Sequence, residues 1–84
     1  MHELFPREVT THVPRITLTG DEMLCVEQHR GLVKWEQDAI SLMTASGLMT
    51  IEGKGLHMRQ YSAQEAVIAG RISALLISPE GRRR

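Results

Sequence analysis

The sequence predicts a small all-β domain, an antiparallel meander of about six or seven short strands forming a sandwich-like fold. Apolar residues recur with a period of two over most of the chain. Turn residues interrupt these runs at intervals of about 8–10 residues, as in sandwiches, barrels and meanders. The 84 residues allow one domain, with a single modest core.

The elements follow in order. Ile16 and Leu18 alternate with Thr17 and Thr19, then Leu24 and Val26 with Cys25 and Glu27. Val33 and Trp35 flank Lys34, and Ile40 and Leu42 flank Ser41. Met49 and Ile51 flank Thr50, and Leu56 and Met58 flank His57. Each reads as a half-buried strand, its apolar side toward the core, and Trp35 is assigned to that core. Gly20-Asp21, Gln37-Asp38, Ser46-Gly47 and Gly53-Lys54-Gly55 supply the turns, because such residues accept positive φ or bond to their own backbone. Connections this short make consecutive strands antiparallel neighbours.

Ser62-Ala63-Gln64-Glu65 has the spacing of a helix capping box. We read it as a short turn before a last strand over 66–77, on which Ile68 and Ile72 share a face. The inward set changes phase between Ile72 and Leu75, which predicts a bulge near Ser73-Ala74. The alternative fold is a short β-solenoid, which the strand spacing permits but no strict repeat supports. The expected domain organisation is a loosely ordered arm over 1–13, the β domain over 14–78 and a basic, solvated tail over 79–84.

Ten Lys+Arg balance ten Asp+Glu, so the formal net charge is zero. That argues against nucleic acid as a partner and permits self-association. Arg82-Arg83-Arg84 reads as solvated tail. The single cysteine excludes an intrachain disulfide, which favours a cytoplasmic setting. Neither a signal peptide nor an apolar run long enough to span a bilayer is visible, so no direct membrane insertion is expected.

Catalytic chemistry has no constellation to rest on. Asp38 sits in a turn without a second carboxylate at helical or strand spacing, and the serines lack a nucleophile elbow. Gly53-Lys54-Gly55 is not followed by a phosphate-cradling helix. Cys25, Glu27 and His29 would share one face of a regular strand, but without further ligands they read as polar surface, and no metal or other cofactor is expected. The expected partner-contact residues are His29 and Arg30, beside Gly31, and Met43 and Leu48, which fall out of phase with the core set near the Ser46-Gly47 hairpin. Leu32 and Val67 are similarly placed. Gly20, Gly31, Gly47, Gly53 and Gly55 are the expected structural turns.

Five segments in fixed order give the chain a family signature: Pro14-Arg15-Ile16-Thr17-Leu18-Thr19-Gly20, Val26-Glu27-Gln28-His29-Arg30-Gly31, Ile40-Ser41-Leu42-Met43-Thr44, Ile51-Glu52-Gly53-Lys54-Gly55-Leu56 and Ile68-Ala69-Gly70-Arg71-Ile72. Each is weak alone. Together they resemble the YabP/YqfC family of sporulation proteins, and its YqfC branch in particular. The resemblance implies a compact sandwich-like domain in the mother-cell compartment of a sporulating bacterium. It also implies a membrane-protein partner of the same programme, which would place the chain peripheral to a membrane. It supplies no catalytic residues. The chain departs from the family pattern at the apolar Ala74-Leu75-Leu76-Ile77, where charged residues would alternate. The expected function is non-catalytic, through association with itself or with that partner. The alternative is a small anion- or ligand-binding module built on the His29-Arg30-Gly31 step.

Overall fold

A computed structural model describes residues 13–79, and the expectations for the N-terminal arm and the basic tail lie almost wholly outside them. The described residues form six strands: β1 (Arg15–Thr19), β2 (Met23–Glu27), β3 (His29–Glu36), β4 (Ala39–Thr44), β5 (Gly47–Tyr61) and β6 (Glu65–Ser78). They make one antiparallel sheet in the order β1-β2-β6-β5-β4-β3. The all-β class and antiparallel pairing are as the periodicity predicts, and they rule out a solenoid of stacked parallel turns.

Two details differ from the expected meander. β2 and β3 are consecutive but not neighbours, because β2 pairs with β6. The residues expected as two strands around a Gly53-Lys54-Gly55 turn form one strand of 15 residues. Gly53 and Gly55 therefore act inside a strand, at register shifts against β6, and not between two strands. The Ser73 bulge is present: Glu52 faces Ala74 and Gly53 faces Ile72, leaving Ser73 without a partner. Its hydroxyl donates to the Glu52 carbonyl at 3.2 Å. Ser62-Ala63-Gln64 forms the turn into β6, with the Glu65 N–H donating to Ser62 Oγ at 3.1 Å.

The sheet folds over on itself. Leu24 and Val26 of β2, Ile40 and Leu42 of β4, and Met49 and Ile51 of β5 are all 0% exposed. With no helix among the described residues, only another part of the same sheet can cover them. The bend lies midway along β5 and β6, where glycine lets the two backbones meet. A Cβ on Gly53 would sit 1.9 Å from the Arg71 carbonyl oxygen, and one on Gly70 2.7 Å from that of Gly55. Any side chain would force these strands apart.

Two hairpins accept the N–H groups freed at the bends. The β3–β4 turn takes the Gly53 N–H on the Asp38 carbonyl and the Leu56 N–H on that of Gln37, at 3.1 and 2.8 Å. The β1–β2 turn takes the Gly70 N–H on the Glu22 carbonyl and the Ile72 N–H on that of Asp21, at 3.1 and 2.8 Å. The two halves thus share one plan: a hairpin pairs with the first half of a long strand and clips its bend. Ile40 and Leu42 match Leu24 and Val26 in this scheme, and Gly53 matches Gly70. Trp35 and Leu18 match as well, each opposite the first core residue of its hairpin partner strand.

That equivalence explains a correction. Trp35 is 56% exposed, Val33 56% and Leu18 54%, although the alternation assigns all three inward. Trp35 faces Ile40 and Leu18 faces Leu24, so both point to the core side of the sheet. They lie on the edge strands, however, where the folded sheet does not reach far enough to cover them. Val33 falls at a register shift between Leu32 and Lys34, which removes it from the alternation.

Candidate association surface

His29 begins β3 at a break in the chain. Gln28 has φ of 70°, and this left-handed residue ends the β2 alternation. His29 therefore does not continue the outward face of Cys25 and Glu27. It is buried, at 4% exposure, which corrects its reading as polar surface. Its Nε2–H donates to the Ser62 carbonyl at 2.9 Å, and its Nδ1 accepts the Gly31 N–H at 3.0 Å. Those two partners require the neutral Nε2–H tautomer. The ring also lies 5.0 Å from that of Tyr61, tilted by 32°, and the Tyr61 hydroxyl accepts the Leu32 N–H at 3.2 Å.

The histidine thus latches the start of β3 to the end of β5. The Gln28 N–H adds a 2.7 Å bond to the Gln64 carbonyl. With both ring nitrogens engaged, an anion at this step would meet Arg30 alone, whose side chain is exposed. Gly31 has φ of 132° at a register shift within β3, so it bends a strand instead of joining two. Gly20 (φ 58°) lies in the β1–β2 turn, and Gly47 (φ 124°) follows the β4–β5 turn. There Thr44 Oγ1 donates to the Gly47 carbonyl at 2.8 Å and accepts the Ser46 N–H at 3.1 Å.

Met43 and Leu48 pair directly across β4 and β5, next to the core residues Leu42 and Met49, so they point away from the core. Both are half-buried and not exposed, since they cover one another and the sheet beneath. In the next row, Ser41 and Thr50 share a 3.0 Å hydrogen bond between hydroxyls, and Leu76 of β6 lies opposite Thr50. Val67, half-buried between its β2 and β5 partners, adds little to the surface, and Leu32 lies at the exposed margin.

The apolar ending of β6 is more exposed than the expected contact pair. Leu75, Leu76 and Ile77 are 38%, 47% and 46% exposed. Leu75 and Ile77 face the core side, opposite Ile51 and Met49, while Leu76 faces outward. Beside them opens a cavity of about 180 Å³ bounded by Leu18, Leu24, Ile72 and Leu75. It is below the usual size of a small-molecule pocket. Alternation alone does not reveal this exposure, because Leu75 and Ile77 sit in phase with a core that stops short of them.

Cys25 is half-buried between Thr17 and Val67. Burial, then the carboxylates of Glu65 and Glu27, push its thiol above the ordinary range, so it stays protonated near neutral pH and is a poor nucleophile. Among the described residues, no group of three or more His, Cys, Asp or Glu is arranged to hold a metal ion. No helix there is long and apolar enough to cross a membrane.

The fold and these surfaces define a class: a folded antiparallel sheet whose most prominent surface features are apolar strand edges. Within that class the chain belongs to the YabP family, whose model matches residues 10–84. It is similar to the Uncharacterized protein YqfC of Bacillus subtilis (strain 168), 30% identical over 70 residues, which cover 83% of this chain and 75% of that protein. The family expected from the five sequence segments is the one found.

Proposed function

We propose that this chain is a non-catalytic sporulation protein that works by protein–protein association in the mother cell. The observation that supports this reading best is the distribution of exposed apolar side chains. Val33 and Trp35 stand on the β3 edge, and Leu75, Leu76 and Ile77 on the end of β6. Exposed apolar side chains grouped in this way favour contact with another protein surface. Membership of the YabP family agrees with a sporulation role. The partners are a second copy and a membrane protein of the same programme, which would hold the chain peripheral to the membrane.

The test is made in a spore-forming bacterium whose own copy is replaced by the Val33→Glu, Trp35→Glu double variant. The expected result is fewer heat-resistant spores at unchanged protein level. Normal spore yield from a strain lacking the gene altogether would overturn the sporulation role. Normal yield from the double variant alone would remove the β3 edge from it.

A further inference from the structure

We propose that residues 74–78 of β6 form the interface through which two copies of this chain pair, antiparallel, about a two-fold axis centred on Leu76. This rests on the association reading and names its surface and partner. Among the described residues the folded sheet has four edges without a paired strand: the outer sides of β1 and β3, and the second halves of β5 and β6. Three of them carry charged residues. β1 opens with Arg15. β3 carries Lys34 and Glu36, 3.7 Å apart, and two register shifts that twist its edge. The second half of β5 carries Arg59 and is tied to the start of β3 through His29 and Tyr61. Charges and bulges of this kind are what keep strand edges from pairing.

Residues 74–78, Ala-Leu-Leu-Ile-Ser, have neither charge nor glycine nor proline. They pair with β5 in unbroken register from Glu52↔Ala74 to Leu48↔Ser78, so the edge is regular. In the shared plan of the two halves, this stretch corresponds to the second half of β5. The start of β3 closes that edge, whereas no described strand pairs with the outer side of residues 74–78.

The segment is complementary to itself. A two-fold axis at Leu76 sets Leu75 of one copy opposite Ile77 of the other, Ala74 opposite Ser78, and Leu76 opposite Leu76. No like charges meet, and the formal net charge of zero adds no repulsion between copies. On the core side, Leu75 and Ile77 of each copy would extend the apolar wall of the cavity beside Leu18. Pairing would join two folded sheets into a continuous one.

The test is light scattering on the purified full chain during size exclusion. The wild type is expected at twice the protomer mass. Leu76→Lys and Leu76→Glu each bring like charges together at the axis and are expected to weaken the dimer at least about tenfold. Circular dichroism and thermal unfolding of each variant check that the fold is kept. An equimolar mixture of the two variants is expected to recover the dimer, and Thr17→Lys on β1 to leave it unchanged. A monomeric wild type at its highest soluble concentration would overturn the proposal. So would a dimer that survives both charge variants, or a mixture that recovers nothing; association would then use another surface and the wider functional reading would stand.

Discussion

His29 shows how one side chain can decide the course of a chain. Its two ring nitrogens serve the Ser62 carbonyl and the Gly31 N–H, groups that would otherwise lack these partners where β3 meets the end of β5. Leaving such groups unpaired costs about 1–3 kcal/mol. His29→Ala is therefore expected to lower unfolding stability by about that amount in urea titrations, while Arg30→Ala, on an exposed side chain, changes it little. Equal small losses for both would count against the latch. The left-handed Gln28 just before it has no glycine to announce it, so nothing in the residue types marks where the alternation breaks.

At the scale of elements, the bends in β5 and β6 turn a flat sheet into a closed core. Gly53 and Gly20 separate two uses of glycine. At Gly53 an added Cβ meets the backbone of β6, which cannot move without breaking register. At Gly20 it meets open space, and only the positive φ of 58° opposes it. Gly53→Ala is expected to cost about 3 kcal/mol or more, and Gly20→Ala about 1–2 kcal/mol, read from thermal or urea unfolding. The reverse order would refute the close approach. The expected turn at Gly53-Lys54-Gly55 fails at this scale, because glycines that relieve a bend within one strand look like glycines that end it.

For the whole molecule, the sheet order separates the candidate surfaces. β3 and the second half of β6 lie on opposite sides of the β4–β5 pair. Trp35 on β3 therefore reports on one edge and not the other. Its fluorescence is expected to be red-shifted and open to acrylamide quenching in the native protein, and to remain so as the protein associates through β6. Shielding of Trp35 upon self-association would place the interface on β3 instead. The pairing of β2 with β6, far apart in sequence, ties the first hairpin to the last strand, so both halves of the core depend on β6.

Much of this protein was legible in its residues. Period-two alternation revealed the strands, the phase change after Ile72 revealed the Ser73 bulge, and the ordered segments revealed the family. These are local properties, set by side-chain direction along a strand and by the few residues that tight turns accept. The candidate site was less legible. Met43 and Leu48 do face away from the core, but their mutual cover depends on pairing across strands. Alternation places His29 outside, yet it is buried, and Trp35 inside, yet it is exposed. Which strand becomes an edge, where the sheet bends and how far one half covers the other decided those outcomes. Alternation along a strand tells which side chains share a face. Only the folded sheet determines whether that face meets protein or water.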